Sequence, residues 1–190
     1  MTTTVVALTR AEIETRGSEI TAVYREAFSR PPYSKPELEV RLFDGALLQH
    51  ADRESFRLVG ALAGERGRLL GFAYGYACAA GQWWCGVVGR ALPARLRSVW
   101  LEGSFQFAEI AVRPEAQGQG IGGQLHDLLL EGLPHARAVL STLRADTPAY
   151  RLYRSRGWTV LQERIDFPGI ARPYRIMGLE LGRGTEAPYE

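Results

Sequence analysis

The 190-residue sequence holds two cysteines, one lysine, two methionines and three histidines, and it has no long apolar run. Each scarcity excludes something. Cys78 and Cys85 are too few for a disulfide framework and lack the four-ligand spacing of a zinc site. They read as inert thiols of a reducing compartment, with a single bridge left open. No apolar stretch approaches the roughly 20 residues of a membrane span. Residues 1–10 lack the basic start and apolar centre of a signal peptide, so a soluble, cytoplasmic protein is expected. Lys+Arg 23 against Asp+Glu 21 leaves a net charge of +2, without the basic excess of a nucleic-acid binder. What is present is ordinary for a globular chain: 46% hydrophobic and 23% charged residues.

Periodicity outlines the elements. Val5 to Leu8 reads as a first strand, and Ile20, Val23, Tyr24, Ala27 and Phe28 recur at helical spacing until Pro31-Pro32. Ser34, Lys35, Pro36 and Glu37 have the pattern of a capping box with proline in the first turn, predicting a second helix through Leu38, Leu42, Phe43 and Ala46. Phe56 to Ala63 and Arg68 to Ala77 predict a hairpin joined at Gly64-Glu-Arg-Gly67. Residues 79–104 mix glycines with Trp83, Trp84 and Trp100 and predict a long irregular insertion holding one short helix near Pro93 to Leu101. Phe105 to Val112, Ala138 to Leu143, Trp158 to Leu161 and Tyr174 to Leu181 read as strands. Gly120 to Leu130 reads as an amphipathic helix, and Thr147-Pro148 caps a short one that stops at Gly157. No repeat marks a second domain, so residues 1–190 are expected to form one domain, with 79–104 on the substrate side and 182–190 as a flexible tail.

The segment from Val112 to Gly123 carries the chemistry. It places Gly118, Gly120, Gly122 and Gly123 within six positions, between a strand and a helix. Glycines let the backbone turn sharply, and the N–H groups at the helix start form a cradle for phosphate oxygens. A pyrophosphate is the expected ligand. A Walker loop is excluded because it needs a lysine after its last glycine. The dinucleotide fingerprint is present as Gly118, Gly120 and Gly123, with an acid at Asp146, but Arg113 to Gln117 intervene where that turn would be tight. A dinucleotide-binding protein is the minor alternative.

The same segment resembles the acyl-CoA loop of the GNAT N-acetyltransferase superfamily, through Gln117, Gly120 and Gly122. A second family block is matched by Asp146, Ala149, Tyr153, Gly157 and Trp158, with Asp146 in place of the usual asparagine and Trp158 in place of phenylalanine. The resemblance implies acetyl-CoA as cosubstrate, held by Ile110, Val112, Gln117, Gly118, Gln119, Gly120, Ile121, Gly122, Gly123, Asp146, Ala149 and Tyr153, with no metal. It implies an α/β fold: a strongly bent mixed sheet with helices on both faces, splayed between the Phe105–Val112 strand and the Ala138 to Leu143 strand.

Two residues are the catalytic candidates. Tyr153 shares a helix face with Asp146 and Ala149 at the predicted spacing, and its hydroxyl can hand a proton to a departing thiolate; the alternative is a core tyrosine. Glu109 falls on the same strand face as Phe105, Phe107 and Ala111, where apolar neighbours favour a carboxyl that takes up a proton as base. The alternative is a structural carboxylate paired with an arginine. His50, His126 and His135 lack metal-like or triad-like partners in the sequence. The expected activity is acetyl transfer to a primary amine of a small molecule or peptide, by direct attack in a ternary complex. A catalytically silent acyl-CoA sensor is the alternative. The expected partners are the amine, neither nucleic acid nor membrane, and a second copy in a homodimer.

Overall fold

A computed structural model describes residues 3–64 and 67–182. Its elements run β1 (Thr3–Ala7), α1 (Arg10–Thr15), α2 (Gly17–Phe28), α3 (Glu37–Ala51), β2 (Arg57–Ala63), β3 (Leu69–Ala77), α4 (Trp83–Ala91), α5 (Ala94–Trp100), β4 (Phe105–Val112), α6 (Ile121–Leu130), β5 (Arg137–Leu143), α7 (Pro148–Ser155), β6 (Thr159–Ile165) and β7 (Tyr174–Glu180). The fold is mixed α/β, with a seven-stranded sheet in the order β1-β2-β3-β4-β5-β7-β6. β1/β2, β2/β3, β5/β7 and β6/β7 pair antiparallel, whereas β4/β5 is parallel. The β4/β5 register covers Phe105↔Ala138 and Gln106↔Val139, two rungs at the start of an eight-residue strand.

The chain divides into two compact units, Met1–Tyr76 with Ala108–Glu131, and Ala77–Phe107 with Gly132–Glu190. The core of the first is built from Ile20, Val23 and Phe28 of α2, Val40, Phe43 and Leu47 of α3, and Phe72, Tyr74 and Tyr76 on one face of β3. Period-2 alternation along β3 supplies that aromatic row. Gly71, also in β3, admits no side chain: a Cβ there would lie 2.8 Å from the Ala111 carbonyl oxygen and 3.2 Å from Leu125 Cδ1. The second core gathers Val88, Leu92 and Leu101 with Val139, Ile165, Phe167 and Ile176.

Several expectations are corrected. The capping box at Ser34 does not form: Pro36 itself is the N-cap of α3, and no side chain caps that end. Proline fixes an extended backbone one residue before the helix, which pushes the start to Glu37. A capping box does form at Thr9 and Glu12, opening the unforeseen α1. The insertion 79–104 holds two helices, α4 and α5. Cys78 and Cys85 are bridged, so the inert-thiol reading fails. The turn residues Glu65 and Arg66, and all of the proposed tail beyond Gly182, lie outside the described residues.

Candidate functional site

The loop between β4 and α6 is held at its start by Arg113. This guanidinium is 4% exposed; its Nε donates to the Leu69 carbonyl at 2.7 Å and its Nη1 to Glu26. The Arg113 backbone N–H donates to Leu70 O at 2.8 Å. A short 3-10 turn, Pro114–Ala116, follows. Gln117 then folds its amide back to Val112 O at 2.9 Å, and Gln119 reaches Glu115 O at 3.1 Å. Arg68 pairs with Glu115 at 3.2 Å. The loop is therefore ordered by its own side chains.

Beyond it, Gly118 and Gly120 lie at φ 75° and 80°, the left-handed region that glycine enters without strain. Gly120 is the N-cap of α6 and provides no side-chain cap. The first N–H groups of a helix have no intrahelical acceptor, and here the turn that leads into them, residues 117–120, is exposed. Among the described residues nothing lies within 4 Å of where a Cβ of Gly118 or Gly120 would stand. Gly122 and Gly123 are inside α6, and Ile121 is buried in the core beneath it. This end of α6 can accept an anion against several N–H groups and the positive end of the helix dipole.

Glu109 stands in β4 in the same unit. Its Oε1 is 3.5 Å from Nζ of Lys35, and the two side chains keep 25% and 18% of their surface. Burial holds the Glu109 carboxyl above its ordinary range, Lys35 opposes that rise, and Glu39 adds to it. The charged partner is thus the chain's single lysine, and among the described residues no ion pair joins Glu109 to an arginine. Lys35 Nζ also donates to Tyr24 Oη at 2.5 Å. Nearby, His50 Nδ1 and Tyr74 Oη share a hydrogen bond of 3.0 Å, and the His50 ring lies 4.9 Å from that of Tyr76. Burial, assisted by Arg53, pushes His50 down to about 4, so it is neutral at physiological pH. Tyr74 is raised by burial and by the charge of Glu109. No local sequence pattern assigns a functional role to Lys35 or His50. Their partners are far off along the chain.

Tyr153 belongs to the other unit. It is buried in α7, edge-on to Phe107 at 5.9 Å and 5.7 Å from Trp158. Thr147 caps α7 by accepting from Tyr150 N at 3.1 Å. Asp146 therefore precedes the helix and does not share its face with Ala149 and Tyr153, which corrects the spacing argument. Its exposed carboxylate pairs with Arg151 at 2.8 Å. Ile110 and Val112 are half-buried in β4. Among the described residues no group of three or more His, Cys, Asp or Glu could hold a metal ion, and no helix is long and apolar enough to cross a membrane.

One unit thus holds a glycine-opened start of α6 and, earlier in β4, the half-buried carboxylate of Glu109. The profile of the acetyltransferase (GNAT) family matches residues 19–158, and the chain belongs to that family. A GCN5-like protein acetyltransferase from Mycobacterium tuberculosis is 35% identical over 121 residues, covering 60% of this chain and 59% of that protein. The match thus spans under two thirds of the relative's length. Among solved structures, a phosphinothricin acetyltransferase from Sinorhizobium meliloti in complex with acetyl-CoA is similar with a TM-score of 0.58 and 22% identity, over 99% of this chain and 93% of that one. An acetyltransferase from Salmonella typhimurium with its cofactor acetyl-CoA aligns at TM-score 0.60 and 16% identity, over 100% and 99%. At such identities the two structures establish a shared fold.

Proposed function

We propose that this chain transfers an acetyl group from acetyl-CoA to a primary amine, by direct attack within a ternary complex. The observation that carries the reading is the α6 start, where Gly118 and Gly120 stand at positive φ in an exposed turn, with open space where their Cβ atoms would lie, and no side chain caps the helix. These residues, with Gln119, Ile121, Gly122 and Gly123, receive the pyrophosphate. The backbone of Ile110 and Val112 meets the pantetheine amides as an added strand would. Acetyl-CoA supplies the activated acyl group as cosubstrate. Glu109 takes the proton of the attacking amine, and Tyr153, in the role its motif suggests, hands a proton to the departing thiolate. Tyr153→Phe should lower turnover about tenfold or more while leaving acetyl-CoA affinity within a few-fold, because only the transition state loses a partner. Equal losses in both would mark Tyr153 as structural.

The acceptor is a monoamine with an apolar or aromatic part, or with a carboxylate. Residues 79–104 lead directly into β4, and their charge is mostly positive through Arg90, Arg95 and Arg97. Trp83 is 56% exposed, with its ring 5.7 Å from that of Phe167, and offers flat apolar surface, whereas the Trp84 indole is held by Ser141 Oγ at 3.0 Å. A polycation would be repelled there. The test is release of free thiol from acetyl-CoA across a panel of aromatic monoamines, amino acids, polyamines, aminoglycosides and peptides, the last because the mycobacterial relative is named a protein acetyltransferase. Monoamines should lead the panel. A polyamine as best acceptor would overturn the acceptor assignment, and no acceleration by any amine would favour a silent acyl-CoA binder.

A further inference from the structure

In a chain with 22 arginines, the candidate base faces the one lysine. Lys35 lies in the link between α2 and α3, and its backbone N–H donates to Phe28 O at 2.8 Å. Its ammonium sits 4.5 Å over the Phe28 ring and 4.7 Å over that of Tyr24 while donating to the Tyr24 hydroxyl. Those rings are themselves fixed: Tyr24 stacks on Phe43 at 3.8 Å, and Phe28 meets Tyr33 edge-on at 5.0 Å. A compact ammonium with three donors meets both rings and the Tyr24 hydroxyl and still faces Glu109.

The groups acting on Glu109 come from four directions. Lys35 lies on the link and Tyr24 on α2; Glu39 projects its negative charge from α3; and Tyr74, neutral, stands on β3 with His50 and Arg53 behind it. Among the described residues, the one positive group acting directly on the carboxyl is Lys35.

We propose that Lys35 is the positioning residue for Glu109, a caged cation that holds the carboxylate in place and in its charged, proton-accepting form. The proposal rests on the reading of Glu109 as base. Burial and Glu39 both favour the protonated acid, which cannot accept the amine's proton, and Lys35 counters them. Its attraction is only partly screened, because both side chains are mostly withdrawn from water.

The test is a titration of the Glu109 carboxyl by carbon NMR in the full chain, assigned by its absence in Glu109→Gln. In Lys35→Met and Lys35→Gln the midpoint should rise by about one pH unit or more, the usual size for loss of an opposite charge at this range. Lys35→Arg should hold it closer to the wild-type value, and Tyr24→Phe should move it less than either uncharged variant. The acid limb of the kcat/KM profile should rise with the carboxyl, giving a loss of up to about tenfold below the wild-type midpoint that is recovered at alkaline pH. Uncharged variants that titrate like wild type would overturn the proposal. Wild-type turnover in Glu109→Gln, with the carboxyl shift intact, would instead overturn the base reading beneath it.

Discussion

Replacing Gly120 by valine should weaken acetyl-CoA binding by about a hundredfold or more, measured by calorimetry. At φ 80° a left-handed conformation costs a residue with a side chain roughly 1–2 kcal/mol, and a β-branched one more. The chain escapes that strain by giving up the turn, which redirects the N–H groups that receive the pyrophosphate. Each charge-assisted hydrogen bond lost contributes about 1.5–3 kcal/mol, and 1.4 kcal/mol is a factor of ten in affinity. A side chain would also occupy space that is open in the native loop. Gly64→Ala is the control, because Gly64 has a similar φ of 76° at the β2–β3 turn and lies outside the Gly118 to Gly123 segment. It should share the strain and keep the affinity. Unchanged affinity in Gly120→Val would remove the cradle from the reading.

Glu109→Gln should lower turnover by about 10² to 10⁴, the range for losing a general base, with acetyl-CoA affinity within a few-fold. The same variant has a signature in stability. Burial raises the native Glu109 carboxyl above its ordinary range, against the pull of Lys35, so the folded chain keeps this proton to higher pH than the unfolded chain. The stability linked to the group is complete below the unfolded value and is lost as pH rises through the native one. Glutamine has no such loss. Urea midpoints of variant and wild type should therefore shift in the variant's favour as pH rises. A difference independent of pH would mean that Glu109 titrates as an ordinary surface carboxyl.

The elements that local pattern defines were legible in advance. β4 is the strand expected from its alternation, α6 begins at the glycines, and Thr147 caps α7. α1 was not foreseen: Thr9 and Glu12 spell a capping box, but its six residues are too short for periodicity to show. α4 was hidden by Gly86 and Gly89, which look like loop signals and here sit on a helix packed by Val87 and Val88. At Ser34 the pattern misled, since the proline that seemed to lie inside the helix stands before it. The candidate site was half legible. Its loop is contiguous in sequence and carries a strong signal, whereas the cage around Lys35 is assembled from α2, a link, α3 and β4. Nothing in the neighbourhood of Lys35 along the chain indicates Glu109.

Arg113 bears on the time course of ligand capture. Its buried guanidinium ties the start of the loop to β3 and α2, while Gln117 and Gln119 close the turns behind it. Fixing a residue's backbone costs roughly 1–2 kcal/mol, and here that ordering is completed during folding, before any ligand arrives. Encounter then needs no rearrangement of the segment between Arg113 and Gly120. The association rate for a phosphate-bearing ligand is left to diffusion, orientation and charge, and differences in affinity among such ligands fall on the rate of departure.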